Sequence, residues 1–196
     1  MMPWNHWYHC TGSTKGTWMR GDARGWRARH HRDHVDGDYK SPPPAGKYDQ
    51  LLEKSEKLMS RRKVELTPKQ RNIALDAIVA SLGRDGAECI TFCVGKKHWH
   101  GLVRTVPTSD HRIESFLFRH VRSVMGRAKG RSARVLSKLG ELPEGGAWAV
   151  RCRPIPIKHE QHFLNVSGYI PDHAKKGAAV YCAPNIPVKA MKKPRA

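Results

Sequence analysis

The chain has 196 residues, enough for one domain with an ordinary core, and its 36 lysines and arginines stand against 17 aspartates and glutamates, a formal charge of +19. So large an excess points to a polyanionic partner, of which nucleic acid is the commonest. Five cysteines, odd in number and without a C-x-x-C pair, exclude a disulfide scaffold and a zinc ribbon. No stretch has the apolar length of a membrane span and the first residues carry no signal-like apolar run, so a cytoplasmic protein without a membrane partner is expected.

Trp7 to Thr14 is rich in aromatic and hydroxyl residues and reads as a first strand, turned by Lys15-Gly16. From Gly21 to Lys47 there is no sustained apolar period, which predicts a long basic loop; His30, His31 and His34 within it read as a solvated surface for a polyanion or, less simply, as a metal cluster. A short helix is expected over Tyr48 to Ser60, anchored by Leu51, Leu52 and Leu58. Thr67, Pro68 and Gln70 form the start of a clearer helix: an N-cap hydroxyl, a proline at the first helical position and a glutamine placed to close a capping box. Ile73, Ala74, Ala77 and Ile78 make its apolar row, widened by Leu75, Val79 and Leu82, and Gly83 stands at its expected end.

Glu88 to Val94 is a nearly continuous apolar run, as a central strand requires, and includes Cys89 and Cys93 as packing residues. Gly95, Lys96 and Lys97 turn the chain into a second strand of a hairpin. On that strand His98 and His100 share one face while Trp99 and Val103 take the other, toward a core. Two neutral imidazoles side by side suit a divalent metal; the plainer alternative is a hairpin strand that happens to carry histidines.

Ile113, Phe116, Leu117, Val121, Val124 and Met125 repeat at helical spacing, with Arg119, Arg122, Arg127 and Lys129 off that stripe and Arg131 and Arg134 extending the basic run. In Trp148 to Arg153, apolar Trp148, Val150 and Cys152 alternate with Ala149, Arg151 and Arg153, predicting a strand that shows arginines outward; Pro154 and Pro156 mark it as an edge. A last helix begins near Lys158, with Phe163, Val166 and Ile170 on one face and His162, Asn165, Tyr169 and His173 on another. Residues 1–183 read as one domain and 184–196 as a flexible basic tail.

The resulting order is strand, helix, strand, strand, helix, strand, helix: an α+β, ferredoxin-like split βαβ sheet with an added C-terminal helix. With His98-Trp99-His100 and Tyr169-Ile170-Pro171-Asp172-His173, and with the opening Tyr8-His9-Cys10-Thr11, the chain resembles the single-tyrosine HUH transposases, and especially the REP-associated tyrosine transposase branch. The resemblance implies a metal-dependent nuclease and strand transferase acting on single-stranded or hairpin DNA. In it His98 and His100 bind Mg²⁺ or Mn²⁺, a polar residue four positions after the tyrosine, here His173, completes the metal site, and Tyr169 is the nucleophile. It leaves room for a homodimer.

The family more often has an amide at the position of His173. Pro171 also sits between Tyr169 and His173, where a helix interior loses a hydrogen bond at a cost of about 3 kcal/mol, so a kink or helix end is expected there. Tyr181 follows an apolar run and is expected to pack in the core. The basic residues expected to meet DNA are Lys96, Lys97, Arg104, Arg119, Arg122, Arg127, Lys129, Arg131, Arg151 and Arg153. The non-enzymatic alternative is a nucleic-acid-binding protein of the same fold that no longer cleaves.

Overall fold

The computed structural model describes residues 6–23, 25–26, 43–59, 62–105, 114–142, 146–150 and 152–184. His30, His31, His34, Arg151 and residues 185–196 of the expected tail lie outside the described residues. The chain forms two compact units, one of 1–14 with 65–196 and one of 15–64.

The larger unit is built on strands β1 (Trp7–Ser13), β2 (Glu88–Val94) and β3 (His98–Arg104). Helix α2 (Pro68–Arg84) follows α1 (Asp49–Lys57), which belongs to the smaller unit; α3 is Glu114–Lys138, β4 is Arg153–Pro156, α4 is Glu160–Tyr169 and β5 is Ala179–Cys182. The sheet is antiparallel throughout in the order β4-β1-β3-β2-β5. Its first four strands follow the ferredoxin-like order, and β5 adds a strand on the far side of β2 that the sequence pattern did not announce.

Two faces of this sheet do different work. The face carrying Trp99, Val103 and Phe92, all fully buried, lies against α2 and α3, which pack on each other. Phe92 stacks on Trp99 at 5.5 Å and 11°. Glycines make room for both rings: a Cβ at Gly12 would stand 2.5 Å from Trp99 Cζ2, and one at Gly101 would run into the Phe92 ring. Gly101→Ala is therefore expected to destabilise the fold by about 1–3 kcal/mol, the usual cost of overpacking, lowering the melting temperature by several degrees in a thermal unfolding scan. The opposite face holds a second apolar cluster, Trp7, Cys93, Leu102, Ile157, Val166 and Ile170, which seats α4.

Helix α2 begins as its sequence dictates. Gln70 N–H donates to Thr67 Oγ1 at 3.3 Å, and Thr67 N–H donates to Gln70 Oε1 at 2.9 Å, with Pro68 at the first turn. It runs past Gly83 to Arg84 and stops at Gly86, whose φ of +69° is the left-handed geometry a helix end uses. Helix α3 is longer than its apolar row suggested, 25 residues through Gly126 and Gly130. Two interior glycines cost roughly 1 kcal/mol each. The buried row continues between and past them through Ala128, Ser132 and Leu136, while Asp85 clamps Arg127 and Arg131 at 3.0 and 2.9 Å.

The expected strand over Trp148–Arg153 is displaced: the fourth strand is Arg153–Pro156, and Val150 is 96 % exposed where alternation would have buried it. Trp148 makes only an isolated bridge to Thr14, and its indole Nε1–H donates to Ser132 Oγ at 2.8 Å. Prolines two apart explain the register. Successive N–H groups of a strand point to alternate sides, so Pro154 and Pro156 both direct their missing donors away from β1, while Ile157 N–H still reaches Trp7 O at 2.9 Å. As the prolines implied, β4 is an edge.

In the smaller unit Trp26 meets Tyr48 edge-on at 5.7 Å, Arg20 lies over the Trp26 ring at 5.5 Å, and the backbone of Leu52 approaches Gly21, whose φ is +90°. Leu51 and Leu52 are half-buried, but Leu58 caps α1 and is exposed, so it is no anchor. Among the described residues no helix is long and apolar enough to cross a membrane.

Candidate metal and tyrosine site

Strand β3 delivers His98 and His100 on the face that α4 covers. His100 lies opposite Thr11 of β1 and Cys93 of β2; His98 lies opposite Ser13. The hairpin tip before them is clamped: Leu66 N–H and Thr14 N–H donate to the carbonyls of Lys96 and Lys97, each at 2.9 Å, and Glu65 pairs with both lysine amines at 2.7 and 3.1 Å. Hydrogen bonds from Lys96 and then Lys97 hold the Glu65 carboxyl down at about 2.

Helix α4 is fastened to the same face by Val166 and Ile170, with Phe163 edge-on to Trp7 at 5.7 Å. It ends at Tyr169. Pro171 does not throw the chain off course, because Ile170 keeps helical angles (φ −65°, ψ −48°) and Pro171 opens a 3-10 turn over Pro171–Lys176, at a position where its absent N–H costs nothing. His173 therefore still follows Tyr169 by one turn. Its N–H donates to Ile170 O at 3.2 Å, and its side chain is buried. Gly177 closes the turn in the left-handed conformation, its carbonyl accepting from Arg71 of α2.

These elements bring three imidazoles together. His98, His100 and His173 each offer a ring nitrogen, and the three nitrogens lie within 4.8 Å of one another. Tyr169 adjoins them, its ring edge-on to His173 at 4.7 Å and to His100 at 5.4 Å. Tyr169 is 38 % exposed and open to solvent, while His173 behind it is 6 % exposed.

The donor set fits a divalent ion. Metal–nitrogen bonds of about 2.1 Å place neighbouring ligands roughly 3 Å apart and opposed ones about 4.2 Å apart, so small side-chain shifts close the triad. His173 Nδ1 sits 3.1 Å from the Tyr169 carbonyl. A carbonyl can only accept, so Nδ1 carries the proton and Nε2 keeps the lone pair that a metal needs. Burial first, then the neighbouring histidines, lowers the His100 imidazole to about 3. His100 is therefore neutral at physiological pH and has no proton to lose before it ligates.

One residue of this cluster was missed as a site residue by reading the sequence. His9, on β1, places Nε2 3.1 Å from His100 Nδ1, stacks on that ring at 5.3 Å and 30°, and meets Tyr169 edge-on at 6.1 Å. Burial, followed by His162 and His173, lowers it to about 4. Alternation in β1 puts His9 on the face of Thr11, but which strand lies beside it is a matter of topology.

Tyr181 is half-buried on β5 and paired with Phe92. Phe92 in turn is in register with Gly101, one residue from His100, so Tyr181 points to the opposite side of the sheet from the histidines.

The basic residues are dispersed. Arg104 holds Glu88 through two hydrogen bonds at 2.8 and 2.5 Å and lies over Trp7, and Arg127 and Arg131 share Asp85. Lys129 is buried, its amine donating to the carbonyls of Ala149 and Val150 at 2.7 and 3.2 Å. Arg119, Arg122 and Arg153 are exposed. Arg119 and Arg122, with Ser123, Gly126, Lys129, Val150 and Cys152, line a groove of about 360 Å³.

No protein-family model matches the chain, and no curated protein matches it. Among solved structures, one of a REP-associated tyrosine transposase bound to a REP hairpin is similar to it, with a TM-score of 0.44 and 12 % identity over 87 % of this chain and 67 % of that one.

Proposed function

We propose that this protein is a transposase-type enzyme: a metal-dependent single-stranded DNA endonuclease and strand transferase that cleaves and rejoins hairpin or palindromic sites through a covalent 5′-phosphotyrosine. The observation that carries this reading is the placement of Tyr169 against His173 and His100, so that one solvent-open phenol borders a cluster of three imidazoles.

His98, His100 and His173 would hold Mg²⁺ or Mn²⁺, which when bound would supply Lewis acidity toward the scissile phosphodiester; imidazole donors suit Mn²⁺ the better of the two. Tyr169 Oη loses its proton and attacks phosphorus. The Oη–P bond forms as the P–O3′ bond breaks, and the leaving oxygen takes up a proton to become a free 3′ hydroxyl. The phosphotyrosine conserves the bond energy, so a 3′ hydroxyl can later attack it, restoring a phosphodiester and the free tyrosine. His173 serves twice: it is a ligand, and its bond to the Tyr169 carbonyl ties the nucleophile's backbone to the metal site.

Incubating a labelled hairpin-containing single strand with the protein and Mn²⁺ is expected to yield cleavage that EDTA prevents. Tight binding without cleavage in any divalent metal would instead establish the non-catalytic nucleic-acid-binding alternative.

DNA binding is expected to be electrostatic, supported by the +19 charge and the exposed arginines of α3. For single strands the slope of log affinity against log salt is about −0.7 per phosphate neutralised. Replacing Arg119 and Arg122 with alanine should flatten the slope by about 0.7 for each phosphate that is no longer neutralised; a flat salt dependence in the parent would remove nucleic acid as the partner.

A further inference from the structure

His9 is not one of the three grouped imidazoles, yet it touches the cluster from the neighbouring strand. Its Nε2 and the Nδ1 of His100 face each other at 3.1 Å. Two neutral imidazoles in that arrangement share one proton, and its location decides what His100 can do. If His9 donates, His100 accepts through Nδ1 and must carry its own proton on Nε2, where it blocks a metal. If His100 donates, Nε2 is left with a free lone pair. The Tyr169 carbonyl imposes that second form on His173, since a carbonyl has no proton to give.

We propose that His9 is the corresponding positioning residue for His100: its Nε2 accepts the Nδ1–H of His100, holding that ring in the tautomer that ligates through Nε2, while its ring backs Tyr169. The inference rests on the metal-site reading of the triad and adds to it a fourth histidine that orients a ligand without being one. Stacking on His100 and edge-on packing with Tyr169 give His9 the means to register both the ligand and the nucleophile. Partners that orient a ligating histidine typically influence metal affinity by 10- to 100-fold.

The test uses the full chain, with His9→Phe and His9→Gln as variants. Phenylalanine keeps a flat ring for stacking but accepts no hydrogen bond; glutamine can place an amide oxygen near the position of Nε2. Nitrogen-15 NMR of the metal-free parent is expected to show His100 protonated on Nδ1. Titration calorimetry with Mn²⁺ is expected to show affinity falling about 10- to 100-fold in His9→Phe and recovering most of that loss in His9→Gln. His100 protonated on Nε2 in the parent overturns the proposal, and so does equal Mn²⁺ affinity in parent and His9→Phe. If His9→Phe fails to fold, the parent tautomer and the affinity of His9→Gln decide. A parent that binds no Mn²⁺ overturns the metal reading together with the role of His9, whereas unchanged binding in the variants overturns the role of His9 alone.

Discussion

Tyr169→Phe is expected to abolish the covalent protein–DNA adduct and to lower cleavage by about 10³-fold or more, as loss of a nucleophile does in a covalent mechanism. The substitution deletes one oxygen from a partly exposed ring and leaves the ring itself against His173, His100 and His9. Folding, hairpin binding and Mn²⁺ binding should therefore be retained. Tyr181→Phe is the matched control, since that side chain lies on the other side of the sheet, in register with Phe92. It should form adduct at the parental rate. The alternative outcome, an adduct retained in Tyr169→Phe and absent in Tyr181→Phe, would require the last strand to leave the sheet.

His100→Ala should have an effect of similar size on cleavage while sparing DNA affinity. His100 is the hub of the cluster: its ring lies 5.2 Å from that of His98, 4.8 Å from His173, 5.4 Å from Tyr169 and 5.3 Å from His9. Removing it deletes one of the three proposed ligands and the partner of His9. His98→Ala should also abolish metal-dependent cleavage but disturb the rest less, because His98 is exposed at the mouth of the site. His173→Ala removes a proposed ligand together with the tie to the Tyr169 carbonyl, so it should cost both Mn²⁺ affinity and the rate at saturating Mn²⁺. Calorimetry with Mn²⁺ beside a cleavage assay separates these effects. Cleavage by His100→Ala at the parental rate in saturating metal would place the metal site elsewhere.

Much of this arrangement is legible in local periodicity. Alternation alone puts His98 and His100 on one side of a strand and Trp99 and Val103 on the other, and the structure buries the latter pair completely. A spacing of four likewise places His173 one turn beyond Tyr169. Pro171 marks a kink or helix end, and the α-helix does end just before it; what a proline rule written for helix interiors does not give is the 3-10 turn that preserves the direction. His9 was illegible as a site residue for another reason: its partner lies 91 positions away, across a strand pairing that only the assembled sheet defines. The strand at Arg153–Pro156 shows the limit of apolar alternation, since the prolines' missing donors and the ladder of β1 outweighed burial of Val150.

The proposed chemistry turns on where DNA becomes attached. The protein incubated with Mn²⁺ and a hairpin-containing single strand, denatured, digested with nuclease and protease and read by tandem mass spectrometry, should yield one modified peptide, carrying a 5′-linked nucleotide phosphate on Tyr169. Attachment to Tyr181 or to any other side chain would contradict the proposed mechanism, as would cleavage that proceeds with no covalent adduct at any time point.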